Sequence, residues 1–330
     1  MAKTTAGPDG AFTIRVPKVQ PYDGFGSSGN VAWIAAEADR FGAQWQQWQP
    51  DTDAAKELVL KLVPESPIHG RIVDLEGKPV RDVQVQLVWQ EAPTEGIVAW
   101  LEAVKSGAGV GEHSLGRGLE MPAYDDESEL PAVTDQEGRF TFRGVGADRV
   151  ARIELRGETI AYSELDVVTR AIPPTLRKDV FGATGEVFGA DFTYQAAPTR
   201  PIVGTVRDAA SGAPLAGVSI ESRRLAGAPR APVGILRTVT DAQGKYRLVG
   251  MAKGNGRGRD EDNAIAVVPN DDQPYFMLNW FKVPDPPGLS PTTLDFKLTR
   301  GVWVTGRVTD NATGAPVVPS RRRSDLDQPN

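Results

Sequence analysis

The chain has 330 residues, a formal net charge of −6 and 40% hydrophobic residues, which suffices for two or three cores of ordinary domain size. This negative net charge does not favour binding to nucleic acid or to an anionic membrane surface. The lack of cysteine excludes disulfides, thiolate metal ligands and cysteine nucleophiles. The sequence predicts neither a membrane span nor a signal peptide, because no long apolar run and no basic segment leading into one is present.

Glycine and proline are frequent, with 35 and 26 residues. They separate short stretches in which apolar and polar residues alternate. This alternation has the period of half-buried β-strands, and glycine and proline are typical of the turns between such strands. The sequence therefore predicts an all-β protein.

Residues 1–63 contain the elements of the C-terminal half of a β-sandwich. A closing phrase at 7–12 (GPDGAF) is followed by predicted strands at 31–35 and 57–62. The closing phrase has the fuller form Thr-Asp-x-x-Gly-x-Phe/Tyr in its later copies. No opening half precedes it in this sequence.

Residues 64–199 form the first complete unit. An opening phrase at 69–74 (HGRIVD) is followed by alternating apolar residues, and a closing phrase stands at 134–140 (TDQEGRF). An insertion at 90–132 separates the two phrases. Within the insertion, apolar residues at helical spacing predict a helix over 95–105; these residues are Ile97, Val98, Leu101 and Val104. The glycine-rich and acidic stretch at 107–129 is predicted to be flexible.

Residues 200–299 repeat the unit, with the opening phrase at 203–208 (VGTVRD) and the closing phrase at 240–246 (TDAQGKY). Strands are predicted at 201–206, 218–222, 235–240, 246–249, 264–268 and 293–298. About six or seven short strands per unit, joined by Gly/Pro turns, indicate tandem antiparallel β-sandwiches, transthyretin-like or Ig-like.

Residues 300–330 contain a third opening phrase at 305–310 (TGRVTD) and a polar tail at 319–330. They are predicted to be the N-terminal half of a further unit. The unequal intervals between the opening phrases indicate small domains with variable insertions, and not a solenoid of fixed repeat length. Half units at both ends suggest a piece of a longer protein or a displaced reading frame, since half a sandwich leaves strand edges unpaired.

The closing phrases are predicted to be turns. The side chains of Asp135 and Asp241 can accept hydrogen bonds from the backbone amides just ahead of them. Gly138 and Gly244 can adopt the positive φ that closes a short loop without a Cβ clash. We therefore assign these four residues a structural role.

The order of the opening and closing phrases resembles the carboxypeptidase regulatory-like domain, a transthyretin-like sandwich grouped with carbohydrate-binding-like folds. The resemblance lies in residues 67–88 with 133–145 and 201–221 with 238–250, and in the halves 1–63 and 300–318. It implies an accessory module of exported peptidases, outer-membrane receptors or long bacterial envelope proteins, which planctomycetes among others carry in number.

Catalytic constellations are not indicated by the sequence. A zinc peptidase site needs several His and carboxylate ligands, and the chain has only His69 and His113. There is no Gly-x-Ser-x-Gly elbow, and the glycine-rich stretches 107–111 and 254–258 lack the lysine and flanking pattern of a phosphate loop. We expect no enzyme activity, no catalytic residue and no cofactor.

Calcium is the one metal that the sequence leaves open. Acidic residues cluster at 125–129, 260–262 and 271–272, and carboxylates are calcium ligands. None of these clusters has the Asp-x-Asp-x-Asp-Gly spacing, so solvated loops are the preferred interpretation.

Aromatic residues give the only hint of a ligand. Aromatic residues follow alanine-rich strands at matching places in two units. They are Trp45 and Trp48 in residues 1–63, and Tyr275 and Trp280 in residues 200–299. Exposed aromatic rings beside amide side chains suit sugar rings. Aromatic packing over the end of a sandwich is the more common explanation.

The sequence thus predicts a non-catalytic spacer array of β-sandwiches in an extracellular, periplasmic or envelope protein, with neighbouring domains of a longer chain as partners. One alternative is a carbohydrate-binding module that contacts polysaccharide through the exposed aromatics. Another is the accessory region of a peptidase whose catalytic domain lies outside this sequence.

Overall fold

The structure is a computed structural model, and it describes residues 3–15, 32–48, 57–93, 95–107, 119–120, 132–178, 184–228, 231–254, 262–302 and 304–317. These residues contain 22 strands and one helix. The predicted all-β fold class is confirmed. His113, the acidic cluster at 125–129 and the tail at 319–330 lie outside the described residues.

The N-terminal segment contains two small antiparallel pairs. The β1 strand (Ala32–Ala36) pairs with β3 (Gln44–Trp48), and β2 (Phe41–Gly42) pairs with β4 (Val63–Pro64). The β1 strand corresponds to the strand predicted at 31–35, and it pairs with β3.

The first sandwich encloses a core that extends from Ile68 to Ala196. One sheet has the order β12 (Thr175–Lys178), β13 (Thr184–Phe188), β11 (Ser163–Val168), β10 (Val150–Arg156), β6 (Gln84–Glu91), β7 (Leu119–Glu120), with β8 (Ala132–Val133) also paired to β6. The facing sheet is β14 (Asp191–Gln195), β5 (Ile68–Val73) and β9 (Arg139–Phe142). The β5 strand carries the first opening phrase and β9 follows the first closing phrase.

The second sandwich encloses a core that extends from Ile202 to Leu298 and also includes Tyr162. One sheet has β18 (Lys245–Leu248), β15 (Ile202–Asp208) and β21 (Thr292–Thr293), with β22 (Phe296–Leu298) also paired to β15. The other is β17 (Arg237–Val239), β16 (Ser219–Arg224), β19 (Ala264–Val268) and β20 (Leu278–Lys282).

Each opening strand lies between two neighbours of opposite direction. The β5 strand pairs antiparallel with β9 and parallel with β14. The β15 strand pairs antiparallel with β18 and parallel with β21 and β22. The sheets are thus mainly antiparallel, with parallel pairs that the alternation of apolar residues does not reveal.

The predicted strand at 57–62 is wrong as a strand, because these residues pair with no neighbour. In both sandwiches the corresponding strand, β14 or β22, pairs in parallel with the opening strand. Among the described residues, no opening strand lies beside this segment. The predicted strand at 293–298 is split where the Leu294 carbonyl accepts the Tyr246 hydroxyl at 2.8 Å and the Asp295 carboxylate accepts the Thr205 amide at 2.8 Å.

The insertion contains the predicted helix, α1 (Ile97–Ser106), which ends at Gly107 in a left-handed conformation. The buried face is made by Ile97, Trp100, Leu101 and Val104, and it packs on Val150, Val168 and Val187. Placing Val98 on this face was wrong: it is 54% exposed, since the i, i+3, i+4 positions that face the sheet belong to Trp100 and Leu101. Residues 119–120, within the stretch predicted to be flexible, form β7.

Among the described residues, no helix combines the length and apolar character needed to cross a membrane.

Candidate functional site at the joints between sandwiches

The closing phrases form the same turn twice. The Asp135 carboxylate accepts the amides of Glu137 and Arg139 at 3.0 and 2.8 Å. The Asp241 carboxylate accepts the corresponding amides of Gln243 and Lys245 at 2.9 and 2.8 Å, which completes the second copy. Gly138 and Gly244 have φ values of +73° and +72°, so both positions have the left-handed backbone that favours glycine.

The same two glycines join the closing phrase to the opening strand. The Gly138 carbonyl accepts the Ile72 amide at 2.8 Å, and the Gly244 carbonyl accepts the Val206 amide at 2.8 Å. A Cβ on Gly138 would lie 2.3 Å from the Ile72 carbonyl oxygen, and one on Gly244 would lie 2.5 Å from that of Val206. No side chain fits there without moving the strand.

Two threonines at the start of the closing phrases have a role that the sequence analysis missed. The Thr134 hydroxyl donates to the Val80 carbonyl at 2.8 Å and accepts the Val83 amide at 2.9 Å. The buried Thr240 hydroxyl makes the equivalent bonds in the second sandwich. The recurrence of threonine before both aspartates was the available signal.

The residues that follow each closing strand contact the preceding unit and the segment that links the two units. The Gly250 carbonyl accepts the Tyr162 amide at 2.7 Å, and the Met251 carbonyl accepts the Arg200 amide at 2.8 Å. The Gly250 amide in turn donates to the Thr199 hydroxyl at 2.7 Å. We call this set of contacts, between the first and second sandwiches, the second joint.

Arg200 is the largest fully buried side chain in the described part of the chain. Its guanidinium donates to the carbonyls of Pro284 and Pro286 at 3.1 and 3.0 Å and pairs with the Asp285 carboxylate at 2.6 Å. A buried guanidinium is tolerated only when its charge and donors are satisfied. The segment between the two sandwiches is therefore fixed to the second one.

Tyr162 belongs to the first sandwich in sequence and packs in the core of the second. Its hydroxyl lies 3.0 Å from carboxylate oxygens of both Glu154 and Glu164. Burial raises the pKa of Tyr162, and these carboxylates raise it further, so the hydroxyl keeps its proton. The side chain is thus held at both ends, in two different sandwiches.

The first joint, between the N-terminal segment and the first sandwich, repeats the second in its backbone bonds. The Gly144 carbonyl accepts the Ala43 amide at 3.0 Å, and the Val145 carbonyl accepts the Ser66 amide at 2.7 Å. Gly144 and Val145 follow the first closing phrase at the same distance as Gly250 and Met251 follow the second. In both joints a short antiparallel bridge lies alongside, with the partners Phe41 and Pro64, and Ile160 and Pro198.

Arg149 adds side-chain contacts to the first joint. Its guanidinium lies 5.2 Å from the centre of the Trp45 ring, and it donates to the Gln44 side chain at 2.6 Å. Burial raises the pKa of the neighbouring Glu91 from 4.5 to about 8, because the charge of Arg149 offsets only part of the desolvation. An open cavity of about 560 Å³ borders this joint, and its lining includes Arg40, Glu65, Gln90 and Arg143.

Half of a third joint follows the second sandwich. The Gly301 amide donates to the Pro274 carbonyl at 2.7 Å, and a bridge pairs Tyr275 with Arg300. Asp208, in the second opening phrase, accepts the Tyr275 hydroxyl at 2.7 Å and the Arg300 guanidinium at 2.9 Å. The start of the third unit is therefore fixed to the second sandwich.

Asp208 is ionised in this arrangement. The backbone amide of Ser211, the hydroxyl of Tyr275 and the guanidinium of Arg300 hold the pKa of the Asp208 carboxyl well below its usual range. Hydrogen bonds donated to a carboxylate favour its charged form.

The four predicted sugar-contacting aromatics have different surroundings. Trp45 is only 8% exposed and lies under Arg149, so it is not an exposed platform. Trp48 and Tyr275 are half-buried, and Arg300 lies over the Tyr275 ring. Trp280 is 56% exposed, with Arg224 above its ring at 5.0 Å. The structure does not bring these four rings into one site, and sugar contact stays a prediction.

The histidine and acidic residues that were considered as metal ligands do not form one cluster either. His69 is exposed on β5, where its Nδ1 lies 3.1 Å from the Thr141 hydroxyl. Within the described ranges no three His, Cys, Asp or Glu side chains are grouped as metal ligands. Asp271 and Asp272 are exposed, and Asp262 pairs with Lys282 at 2.6 Å. Calcium binding stays untested.

Comparison with known proteins identifies no family for this chain. No family model and no curated protein matches the chain. Solved structures that resemble it include a streptococcal ancillary pilin, 13% identical over 83% of this chain and 76% of that one, with a TM-score of 0.25. The shaft pilin SpaA from Lactobacillus rhamnosus GG is 11% identical over 73% and 99%, with a TM-score of 0.27. BcpA, the major pilin subunit of Bacillus cereus, is 7% identical over 72% and 100%, with a TM-score of 0.24. TM-scores this low carry no argument about the function of this chain.

The contact of Gly138 with the opening strand predicts an unequal effect of two glycine substitutions. Gly138→Ala should lower the free energy of unfolding by about 3 kcal/mol or more, from backbone strain together with the clash. The matched control is Gly77→Ala, which has the same positive φ but open space around a Cβ, and should cost about 1–2 kcal/mol. Urea denaturation of the two variants gives the comparison, and equal losses would contradict the proposed packing.

The raised pKa of Glu91 predicts a pH dependence of stability. A carboxyl that is protonated more easily in the folded state stabilises the fold below its unfolded pKa, and this contribution is lost as the pH rises towards 8. Between about pH 5 and pH 8 the wild-type should lose on the order of 2 kcal/mol relative to Glu91→Gln, which stays neutral. The exposed control Glu137→Gln should follow the wild-type in urea denaturation. A parallel pH profile of the wild-type and Glu91→Gln would refute the assignment.

Proposed function

We propose that this chain is a non-catalytic spacer whose β-sandwiches are held in a fixed relative orientation, so that the array transmits position and load between the parts of a larger assembly. The proposed units are 1–63, 64–199, 200–299 and 300–330. This is the function that the joints support best.

The observation that carries the proposal is the recurrence of one joint. The same two backbone carbonyls after the closing strand accept amides at the same two positions in the joints at Gly144 and Gly250. Side chains then differ: Arg149 and Trp45 fill the first joint, and Arg200 and Tyr162 fill the second. Two different sets of side chains that support one backbone arrangement favour a selected orientation over a flexible tether.

Burial supports a stiff connection as well. Inter-domain contacts that are small and polar allow relative motion, whereas Tyr162 is 5% exposed and Arg200 is 2% exposed. Opening the second joint would expose the ring of Tyr162, which packs in the core of the second sandwich. Exposure of a buried aromatic ring to water is unfavourable.

The setting of this array is part of the proposal. The resemblance of the repeated phrases to carboxypeptidase regulatory-like domains supports an exported or envelope protein in which such units are accessory modules. The residues that recur are turn and core positions, and fold alone does not imply an activity. A peptidase accessory role and a carbohydrate-binding role stay alternatives.

Spin-label distance measurements test the rigidity of the second joint. Because the chain lacks cysteine, Glu186→Cys and Lys245→Cys provide the only two sites for a spin label. Each of these residues is exposed on a strand, and the two strands belong to different sandwiches. We expect one narrow distance distribution. Arg200→Ala should broaden it and cost about 3 kcal/mol, because it removes the buried guanidinium that fixes the linking segment to Pro284, Asp285 and Pro286 of the second sandwich.

The matched control is Arg247→Ala, which removes an exposed arginine on β18 outside the joint. It should leave the distribution narrow. A wild-type distribution as broad as that of Arg200→Ala would contradict the proposed function, because it would show that the joint does not fix the two sandwiches.

A further inference from the structure

The outward face of one sheet of the second sandwich carries four basic side chains. On β18, Lys245 and Arg247 are exposed, and they alternate with the two buried residues of that strand. Arg207 on β15 and Lys297 on β22 also lie between buried neighbours, so they point away from the core in the same way. We call these four residues the basic row.

The strand registers place the four positions next to one another. Lys245 lies opposite Thr205, which is two residues from Arg207 on β15. Arg207 lies beside Lys297 on β22. Residues two apart on a strand are separated by about 7 Å and neighbouring strands by about 5 Å, so successive positions of the row are about 5 to 8 Å apart. The row therefore crosses the sheet diagonally from Arg247 to Lys297.

The charges of the basic row are not neutralised by the rest of the sheet. The Arg207 guanidinium donates to the Gly212 carbonyl at 3.1 Å, which is an uncharged partner. Across the described residues, no carboxylate forms an ion pair with any of the four side chains. Asp295, between β21 and β22, accepts the amide and the hydroxyl of Thr205 instead, both at 2.8 Å. A chain with a net charge of −6 thus keeps a local concentration of positive charge on this face.

The fold does not require these charges. Like charges on adjacent strands destabilise a sheet, and Arg207 and Lys297 are register partners. In the first sandwich the same two positions, on β5 and β14, hold the uncharged pair Val73 and Gln195. The two sandwiches form the same strands with and without the charged pair, which favours a binding role for it over a structural one.

We propose that the basic row binds the anionic groups of an acidic polysaccharide. Lysine and arginine side chains donate charge-assisted hydrogen bonds to carboxylate and sulfate oxygens. Single exposed contacts of this kind are weak, but an extended polymer with repeated anions contacts several members of the row at once, which raises the overall affinity. The spacing of the row is within the Debye length of about 8 Å at physiological ionic strength, so its charges attract an anion together.

This surface is separate from the aromatic residues that suit neutral sugars. Trp280 lies on β20, which belongs to the other sheet of the second sandwich. The basic row also lies outside the joints, since none of its members contacts Tyr162 or Arg200. The inference therefore goes beyond the spacer function and does not rest on it.

Other anionic partners fit this face less well. Single-stranded nucleic acid is held by stacking on exposed aromatic rings as well as by cations, and the aromatic residues of these strands, Tyr246 and Phe296, are buried. Binding at a membrane surface uses apolar side chains that enter the lipid interface. The outward apolar residue of β15, Val203, is half-buried. A flat face with cations and hydroxyls but no exposed ring favours a sugar polymer.

Binding measurements on the full chain test the inference. The probes are polygalacturonate, which carries carboxylates, dextran sulfate, which carries sulfates, and uncharged dextran. We expect saturable binding to at least one charged polymer, weaker binding at high salt because exposed charges are screened, and no binding to dextran. The charged polymer that binds more tightly identifies the anionic group.

A triple variant separates the basic row from the rest of the surface. Replacement of Lys245, Arg247 and Lys297 by glutamine should weaken polymer binding by about tenfold or more. It should not lower the midpoint of urea denaturation, because it removes repulsion between like charges. The matched control removes the same three charges at exposed positions outside the second sandwich, and it should keep the affinity within about twofold; its substitutions are Lys61→Gln, Arg81→Gln and Lys105→Gln.

Failure of both charged polymers to bind, or an equal loss of affinity in the control variant, would overturn the inference. Binding of a single-stranded DNA oligomer or of phosphatidylglycerol vesicles as tightly as the charged polymers would also overturn it, because the row would then select no polysaccharide. If no polymer binds while the distance between the sandwiches stays narrow, the spacer function stands and only this surface fails.

Discussion

The hydrogen bond between the closing glycine and the opening strand is the contact on which each sandwich depends. It brings together two phrases that are far apart in sequence, and it requires a residue without a Cβ at Gly138 and Gly244. The neighbouring threonine hydroxyls, at Thr134 and Thr240, fix the strand that follows the opening turn. Once this contact is made, the closing strand has a defined register, and the carbonyls after it face the preceding unit. The order inside one sandwich and the orientation of the unit before it are therefore linked.

This link explains why the joints are alike although their side chains differ. The backbone bonds at Gly144 and Gly250 are set by the closing strand, which is the same in both units. The side chains then exclude water in different ways: an arginine lies over a tryptophan in one joint, and a tyrosine ring enters the core of the next sandwich in the other. The buried ring of Tyr162 combines stability with a defined geometry at the second joint.

The turns and the all-β fold could be predicted from the sequence because they depend on local backbone chemistry. Gly138 and Gly244 have positive φ, and the aspartates beside them accept the amides just ahead. The roles of Arg200 and Tyr162 could not be predicted, since their partners are backbone carbonyls and residues distant in sequence.

Other differences have the same origin. Residues 57–62 have the alternation of a strand but pair with no strand among the described residues. The sequence predicted an exposed ring at Trp45, but Arg149 covers that ring. It also placed Val98 on the buried face of the helix, where the structure has Trp100. In each case the pairing or burial of the residue depends on neighbours that are distant in sequence, and a local pattern does not reveal those neighbours.

Amide hydrogen exchange tests the central claim that one backbone arrangement holds the units together. The amide of Tyr162, which donates across the second joint to the Gly250 carbonyl, should exchange as slowly as those of Ile72 and Val206 inside the sandwiches. The amide of Val308, which belongs to no described strand, should exchange at the rate of an open segment. If Tyr162 exchanges as fast as Val308, the joint is not a fixed part of the structure and the account is wrong.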